Sequence, residues 1–282
     1  MNFQPGKTAL DYLIIGHITR DIVEDEFRLG GTAVYSAITA RRMGLEVGLV
    51  TSFNEDFPVE ALDGIQIINH RSERTTTFKN LYTPIGREQY ILEKAEPLGM
   101  NQIPEDWLTA KIIHLGAVAR EIDPETGINF PDSAVCISLQ GWLRKWDENG
   151  FVQPSPFPKV TKVFTENTSA FLSIEDLGFD RTQLDHLLSL FPMLVLTKGT
   201  DGAEIFWEDQ ISTISVEPRE ELDPTGAGDI FAAAFMNYYA IEGKSIEKSP
   251  RMATALAAIS VIRPGIEGIP TEAEIQLNQK VY

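Results

Sequence analysis

Short, continuous apolar runs recur along this chain and restrict the folds open to it. The first reads Tyr-Leu-Ile-Ile-Gly at residues 12–16. Further runs lie at residues 47–51, 112–116, 134–138, 169–173 and 193–197. Segments that are apolar throughout, rather than at every second position, are typical of strands buried on both faces of a parallel sheet. The sequence therefore predicts a central parallel sheet.

Helical signals alternate with these runs. Residues 33–43 are rich in alanine, follow Gly30 and Gly31, and stop at Gly44, which suits a helix C-terminus. Residues 182–191 carry leucine and phenylalanine at helical spacing. Alternation of this kind predicts an α/β sandwich with a mainly parallel sheet. Ligands of such folds bind beyond the carboxyl ends of the strands.

The pattern changes between residues 72 and 95. Two β-prone segments, residues 75–78 and 89–92, are separated by Pro-Ile-Gly at residues 84–86 and predict a hairpin. The hairpin is either a lid at the mouth of a site or an edge hairpin on the main sheet. The length suits one large domain, residues 1–282, that carries this hairpin as a small appendage.

Charge and cysteine content narrow the classes of partner and compartment. The formal net charge is -17, and so acidic a surface repels polyphosphate backbones, so we do not expect nucleic acid as a partner. Cys136 is the single cysteine and lies in an apolar run, so no intramolecular disulfide forms and a cytoplasmic location is expected. No segment approaches the ~20 apolar residues that cross a bilayer, and we expect no membrane partner.

A glycine-rich loop at residues 223–229 reads Asp-Pro-Thr-Gly-Ala-Gly-Asp and leads into an apolar, alanine-rich stretch that predicts a helix. Small residues at a helix start leave backbone N–H groups open to a ligand. These donors and the helix dipole form a site for negative charge. Asp229 puts a carboxylate into this anion site. It is either a general base for phosphoryl transfer or an N-terminal helix cap.

The loop and the two residues after it resemble the signature of the ribokinase-like, or PfkB, carbohydrate kinases, and the resemblance covers nearly the whole chain. Residues 16–21, the pair Gly30-Gly31, residues 197–202 and residues 265–270 resemble further motifs of that family. The resemblance implies an ATP-dependent kinase with a three-layer α/β sandwich, a mainly parallel central sheet and a small β lid. Lids in such relatives often pair across a homodimer.

The resemblance also implies roles for individual residues. Asp229 is the expected base that deprotonates the acceptor hydroxyl, and the anion hole is expected at Gly226, Ala227 and Gly228. The other implied positions are Asp21, Gly30 and Gly31 for the acceptor and Thr197, Gly199, Gly202 and Thr225 for the nucleotide.

Metal positions follow from the same resemblance. Mg²⁺ is expected with ATP and needs few direct protein ligands, because it usually keeps several waters. The family's Asn-x-x-Glu motif has two competing registers here. Residues 167–170 keep the asparagine, whereas residues 173–176 keep the acids Glu175 and Asp176. We prefer the second register because it follows an apolar strand, although acids at a helix start also suit the helix dipole.

A monovalent cation is a further expectation. Asp223 and Thr225 match positions that in many relatives help to hold such an ion, for example K⁺, beside the anion hole. The resemblance therefore adds Asp223 to the candidate metal ligands.

Departures from the family pattern bear on the acceptor. Tyr35 replaces an asparagine that ribose and nucleoside kinases of the family generally carry, and Thr32 replaces a lysine frequent in ribokinases. Both differences point away from ribose and adenosine. The hairpin and residues 140–144 resemble plant-type myo-inositol kinases. Gln140 and Arg144 follow a strand end, where they face either the acceptor or a surface loop.

The expected acceptor is therefore a small polyol, either a sugar or a cyclitol such as myo-inositol. Two alternatives stay open. One is a nucleoside kinase. The other is a regulatory protein of the same fold that binds nucleotide or sugar without turnover.

Overall fold

The computed structural model describes residues 9–23, 26–54, 57–83, 86–217 and 219–282. The strands are β1 (Tyr12–Ile15), β2 (Thr19–Val23), β3 (Glu26–Gly30), β4 (Val47–Thr51), β5 (Gln66–Asn69), β6 (Thr76–Thr83), β7 (Gly86–Glu93), β8 (Ile112–Leu115), β9 (Ala134–Ser138), β10 (Arg144–Trp146), β11 (Val152–Pro154), β12 (Thr168–Ser173), β13 (Met193–Thr197), β14 (Ala203–Trp207) and β15 (Gln210–Ile214). The α-helices are α1 (Thr32–Arg42), α2 (Leu184–Leu190), α3 (Ala227–Met236), α4 (Lys248–Ser260) and α5 (Glu272–Val281). None of the helices in these ranges is long and apolar enough to cross a membrane.

A nine-stranded sheet forms the centre of the fold, in the order β15-β14-β13-β12-β9-β8-β1-β4-β5. All neighbouring strands from β13 to β5 pair in parallel. The six apolar runs of the sequence coincide with β1, β4, β8, β9, β12 and β13. The predicted α/β fold with a mainly parallel central sheet is therefore confirmed.

Two strands that the sequence did not predict close one edge of this sheet. β14 pairs antiparallel with β13, and β15 pairs antiparallel with β14. Most of their residues are partly buried or exposed, and polar residues interrupt them. They lack the continuous apolar runs that identified the central strands.

Alternate side chains of the central strands enter two separate hydrophobic cores. In β1, Tyr12 and Ile14 belong to the core on one face, which also contains the buried residues of α1, α3 and α4. Leu13 and Ile15 belong to the core on the other face, which contains the buried leucines of α2. This alternation follows from the two-residue period of a strand. The sheet is covered on both faces, as the continuous apolar runs require.

Helix α3 is held on more than one side. It packs against α1 and α4, and every residue from Ile230 to Met236 is buried. Three consecutive alanines, residues 232–234, allow neighbouring elements to approach closely. Packing of this kind fixes the position of the first turn of α3, which faces the carboxyl ends of the parallel strands.

A second, four-stranded sheet has the order β3-β2-β6-β7. β6 and β7 form the predicted hairpin, and the residues expected at its turn, 84 and 85, lie outside the described ranges. β2 pairs in parallel with β6 and antiparallel with β3. β2 and β3, which follow β1 along the chain, belong to the same sheet as the hairpin. The hairpin is therefore half of a four-stranded sheet. β2 and β3 were not predicted because charged residues interrupt them, so neither forms a continuous apolar run.

We expect Leu13→Ala to lower the free energy of unfolding by about 2–5 kcal/mol, because the leucine is fully buried in a central strand and its removal leaves a cavity. The matched control is Leu277→Ala, at a side chain that is 62% exposed. This change should stay within about 0.5 kcal/mol of the parent. Urea denaturation of both variants gives the comparison. Equal losses would contradict the assignment of Leu13 to the core.

Candidate active site

A cavity of ≈ 350 Å³ lies at the carboxyl ends of the parallel strands. Ser138, Ser173 and Thr197, the last residues of β9, β12 and β13, line it. One part of the lining comes from β2, β6 and β7, and we call it the small-sheet end. Another part comes from α4 and from residues 216, 217, 219 and 221, and we call it the α4 end. The location is the one at which parallel α/β folds bind ligands.

The glycine-rich loop (residues 223–229) enters α3 at the edge of this cavity. Gly226 is the N-cap residue, with a φ of 82° in the left-handed region. Gly226, Ala227, Gly228 and Asp229 all line the cavity. The first N–H groups of a helix have no acceptor inside the helix, so those of Gly228 and Asp229 are open to an anion. Of the predicted anion-hole residues, Gly228 therefore offers its N–H to the cavity, whereas the N–H of Ala227 donates to the Pro224 carbonyl at 3.2 Å.

Gly226 also lies directly against the ring of Tyr35. A Cβ at Gly226 would collide with that ring, and the left-handed φ already disfavours a residue with a Cβ. Tyr35 lies on α1 and is 2% exposed, so its ring cannot move aside freely. The loop therefore rests on a buried aromatic side chain, and glycine is required at this position.

Asp229 lies in the first turn of α3 and is only partly exposed. Burial raises the pKa of its carboxyl to about 7, and the Thr32 hydroxyl opposes this shift. The Asp176 carboxylate raises the pKa further, the Arg144 guanidinium lowers it, and the Asp21 carboxylate raises it. A carboxyl of this kind changes charge near neutral pH, where a general base works.

Asp21 and the two glycines lie together at the small-sheet end. The Thr19 hydroxyl donates a hydrogen bond of 2.9 Å to Oδ1 of Asp21. A Cβ at Gly30 would collide with the Asp21 carboxylate. Gly31 has a φ of 94°, and a Cβ there would lie 2.8 Å from the His17 carbonyl oxygen. The diglycine therefore leaves room for the Asp21 carboxylate and lets α1 begin close to the first strand.

From the sequence, Gln140 and Arg144 could face either the acceptor or a surface loop. In the structure both residues line the cavity. The Arg144 guanidinium carbon lies 5.9 Å from the centre of the Phe78 ring. Together with Asp21 they form a polar group of side chains at the small-sheet end.

The sequence did not predict two further polar residues at this end. Asn80 and Gln89 are direct partners in the β6–β7 pairing, and both line the cavity. The Gln89 amide donates a hydrogen bond of 2.9 Å to Oδ1 of Asn80. Polar residues at alternate positions of a hairpin are the signal that could have found them, because alternate side chains share one face.

A buried carboxylate, Glu121, supports the rim of the cavity and was also not predicted. It is 1% exposed. Its oxygens accept hydrogen bonds from the backbone N–H groups of His17 (3.1 Å), Val118 (3.0 and 3.1 Å) and Ala119 (2.7 Å). Glu121 therefore ties the segment after β8 to the segment after β1. Val118, one of the residues so held, lines the cavity.

The α4 end brings together the predicted nucleotide positions. Thr197, Gly199, Gly202 and Thr225 all line the cavity. Gly202 has a φ of 81°, and a Cβ there would collide with the carbonyl of Ile214. The loop at residues 199–202 therefore lies directly on β15, and its glycine is required by that close approach.

An apolar slot adjoins this loop. The slot is lined by Ala203, Val216, Ala257, Ala258 and Val261. The hydroxyl of Thr254, which also lines the cavity, has no hydrogen-bond partner among the described residues. A slot of small apolar side chains can accept a flat ring.

The predicted metal ligands are divided between two places. Glu175 and Asp176 line the main cavity, and Oδ2 of Asp176 accepts a hydrogen bond of 2.8 Å from the Ser173 N–H. Asp223 borders a second, smaller cavity instead. Over the ranges that the structure describes, no group of three or more His, Cys, Asp and Glu side chains could hold a metal ion.

The two registers of the Asn-x-x-Glu motif lie at opposite ends of β12. Asn167 precedes the strand, and its side-chain amide donates to the carbonyls of Phe130 (3.0 Å) and Pro131 (3.2 Å). Residues 173–176 follow the end of the strand. Of the two registers, the second therefore borders the cavity, as the strand-end argument predicted.

Comparison with known sequences identifies relatives among the kinases. The profile described as pfkB family carbohydrate kinase matches residues 170–272. The nucleoside kinase of Methanothermobacter thermautotrophicus is 37% identical over an alignment of 300 residues, which covers 95% of this chain and 92% of the relative. The cytidine kinase of Thermococcus kodakarensis is 26% identical over 264 residues, which cover 86% of this chain and 93% of the relative.

Comparison with solved structures gives the same fold. A pyrophosphate-dependent kinase of the ribokinase family, solved with a pyrophosphate analogue and myo-inositol, matches with a TM-score of 0.74. The identity is 19%, and the match covers 91% of this chain and 98% of that one. At this identity the likeness bears on the fold alone.

We expect Gly226→Ala to lower the free energy of unfolding by about 2 kcal/mol or more, because it adds a left-handed strain and a collision with Tyr35. Gly228→Ala is the matched control. A Cβ there meets no atom within 4 Å, and alanine is favoured in a helix, so we expect no loss. Urea denaturation of the two variants makes the measurement. Equal midpoints would mean that Tyr35 does not constrain the loop.

Proposed function

This chain belongs to the pfkB family of carbohydrate kinases, and we propose that it transfers the γ-phosphoryl group of ATP to a hydroxyl of a small polyol. Like its relatives it is a phosphotransferase with a hydroxyl acceptor. The polyol is a sugar or a cyclitol such as myo-inositol. The observation that carries the proposal is Asp229, whose carboxyl has a pKa of about 7 and stands at a helix N-terminus beside the cavity.

Asp229 is the proposed general base. Its ionised carboxylate takes the proton of the acceptor hydroxyl while the hydroxyl oxygen forms a bond to the γ-phosphorus. The bond between the γ-phosphorus and the β,γ-bridging oxygen breaks and releases ADP. A base whose pKa is near the working pH combines a sufficient ionised fraction with a strong affinity for the proton.

The start of α3 is the proposed anion hole. The N–H groups of Gly228 and Asp229 and the helix dipole favour the negative charge on the transferred group. The small residues Gly226, Ala227 and Gly228 let that group approach the backbone. Donors fixed in advance by the packing of α3 do not have to reorganise during the reaction.

ATP is the proposed donor, in preference to pyrophosphate. The apolar slot at the α4 end suits an adenine ring. Pyrophosphate has no apolar part and would leave the slot unused. The proposed contacts to the rest of the nucleotide come from Thr197, Gly199, Gly202 and Thr225.

Magnesium is the proposed companion of ATP, and the residues present fit it. Glu175 and Asp176 both line the cavity. Mg²⁺ commonly binds through one or two carboxylates and completes its shell with waters and substrate phosphates. When bound, the ion neutralises part of the charge of the donor phosphates.

A monovalent cation fits this chain poorly. Oδ1 of Asp223 accepts the Thr225 N–H (3.0 Å), and Oδ2 accepts the Gly265 N–H (2.9 Å). The Arg28 guanidinium lies 3.5 Å from the same Oδ2. The Asp223 carboxylate therefore already has hydrogen-bond donors and a positive charge beside it.

The small-sheet end is the proposed acceptor site, with the small sheet as its lid. Carboxylate, amide and guanidinium groups there offer both acceptors and donors, which polyol hydroxyls need. The proposed contacts are Asp21, Asn80, Gln89, Gln140 and Arg144. Gly31 lines the cavity, whereas Gly30, which the sequence also assigned to the acceptor, lies behind the Asp21 carboxylate and gives it room.

A nucleoside is the second candidate acceptor. Relatives that cover nearly the whole chain are a nucleoside kinase and a cytidine kinase, and Phe78 presents an aromatic ring at the small-sheet end. We favour the polyol because the Arg144 guanidinium lies over the Phe78 ring. A base stacked on Phe78 would have to displace it.

We expect ADP formation with ATP and at least one member of a panel of pentoses, hexoses, inositols and nucleosides. Asp229→Asn should lower kcat by about 10²–10⁴-fold, because it removes the base and keeps the shape of the side chain. Nucleotide binding, measured by calorimetry, should persist in this variant. Replacement of ATP by pyrophosphate tests the donor. Full turnover in Asp229→Asn would contradict the assignment of the base.

The rate should depend on the ionisation of Asp229. The base is the ionised form, so kcat/KM should rise with pH, reach half its plateau near pH 7 and fall about tenfold per unit below that. Arg144 lowers the pKa of Asp229, so Arg144→Gln should move the midpoint to higher pH. ATP ionises identically with both proteins, so a displaced midpoint reports the protein. The same midpoint in both proteins would contradict the assignment.

A further inference from the structure

The carboxylate of Asp223 joins the two chain segments that meet below the glycine-rich loop. Its side chain is 11% exposed. One oxygen accepts the N–H of Thr225 inside the loop, and the other accepts the N–H of Gly265, 42 residues further along the chain. Burial alone would raise the pKa of Asp223, but these hydrogen bonds and Arg28 lower it. Both oxygens of the Asp223 carboxylate are therefore held by backbone N–H donors.

Arg28 reaches this carboxylate from the small sheet. Its Nη1 lies 3.5 Å from Oδ2 of Asp223. Arg28 lies on the edge strand β3, directly opposite Asp21 on β2. Side chains at directly opposite positions of an antiparallel pair point to the same face. Arg28 therefore shares a face of the small sheet with Asp21, the carboxylate of the proposed acceptor site, and lies beside the carboxylate that organises the loop.

The charged groups around Tyr35 show how positive and negative charges are balanced near Arg28 and Asp223. Burial raises the pKa of the Tyr35 phenol, and the carboxylates of Asp21, Asp223 and Asp229 raise it further. Arg28 acts in the opposite direction and lowers it. Three negative groups and one positive group thus surround the ring on which Gly226 rests. The guanidinium of Arg28 offsets part of an otherwise negative environment.

A free cation at Asp223 would have to share the carboxylate with Arg28. The cavity between Asp21, Arg28, Asp223 and Gly265 has a volume of ≈ 20 Å³. That volume holds about one water, and a positive ion in it would be repelled by the guanidinium that forms its wall. Because the Arg28 guanidinium already neutralises the Asp223 carboxylate, a bound cation would add little stabilisation there.

We propose that Arg28 supplies, as part of the chain, the positive charge that the family resemblance assigns to a monovalent cation, and that phosphoryl transfer here does not require K⁺. The inference rests on the proposed function, since it takes the glycine-rich loop as the anion hole. Arg28 is a positioning residue: it acts through Asp223, which fixes the loop against the turn at Gly265. Because Arg28 belongs to the small sheet, it also links the position of that sheet to the position of the loop.

The test is the response of the rate and of the melting temperature to KCl, with choline chloride keeping the ionic strength constant. Constant ionic strength is needed because the Arg28 side chain is 40% exposed and salt screens its charge. For the parent protein we expect K⁺ to change kcat/KM by less than about twofold. Arg28→Met keeps the bulk of the side chain and removes its charge. We expect it to lower kcat/KM by about tenfold or more without K⁺, and K⁺ to restore part of the loss.

Two further variants make the result specific. Arg28→Lys keeps the charge and should stay independent of K⁺. Arg20→Met removes a charge from the adjoining strand, where Arg20 lies over the rings of Phe27 and Phe57, and it should leave the K⁺ response unchanged. Loss of K⁺ independence in Arg28→Met alone supports the proposal.

Activation of the parent protein by K⁺, about fivefold or more at constant ionic strength, overturns the proposal. This measurement needs no variant to fold. The melting temperature separates the proposal from the kinase assignment, because it is measured without substrate. K⁺ should raise the melting temperature of Arg28→Met and leave that of the parent unchanged, even where no acceptor in a panel is phosphorylated. A rise in the parent equal to that in Arg28→Met contradicts the role of Arg28.

Discussion

Among the carboxyl groups that line one cavity, two raise the pKa of a third, and the free energy needed to keep the charge of these three out of water is the constraint on which the rest of the structure depends. They belong to Asp21, Asp176 and Asp229. The fold opposes this charge with the N-terminus of α3 and with the side chains of Thr32 and Arg144. These groups come from different parts of the chain. The central sheet, α1 and the segment after β9 must therefore all be in place before the charges balance.

The parts of this arrangement that sequence reveals are those encoded by local pattern. Continuous apolar runs identified the central strands, because a strand with both faces buried has no polar side to alternate with. The glycine-rich loop was visible for a related reason. A left-handed backbone at Gly226 and a close approach at Gly202 each require glycine, so the residue type records the geometry. Asp229 was found because its position relative to that loop is fixed by one helical turn.

The parts that sequence did not reveal depend on which segments meet in space. Asn80 and Gln89 face the cavity only because the β6–β7 register pairs them and turns their shared face inward. Arg28 and Asp223 are far apart along the chain, and no local pattern indicates that β3 reaches the glycine-rich loop. Nothing in the sequence distinguishes Glu121 from a surface acid. It is nevertheless buried, and its carboxylate accepts hydrogen bonds from backbone N–H groups. Contacts between distant segments are set by packing, which short motifs do not encode.

The two ends of the cavity are built by different parts of the fold. Residues of β2, β6 and β7 line one end, whereas α4 and the turn against β15 line the other. A substitution in the β6–β7 hairpin can therefore alter which molecule is recognised while the opposite end keeps its shape. In a lineage of duplicated genes, this separation would let new acceptors arise through changes in a few side chains of the small sheet. The chemistry at the start of α3 would be inherited intact.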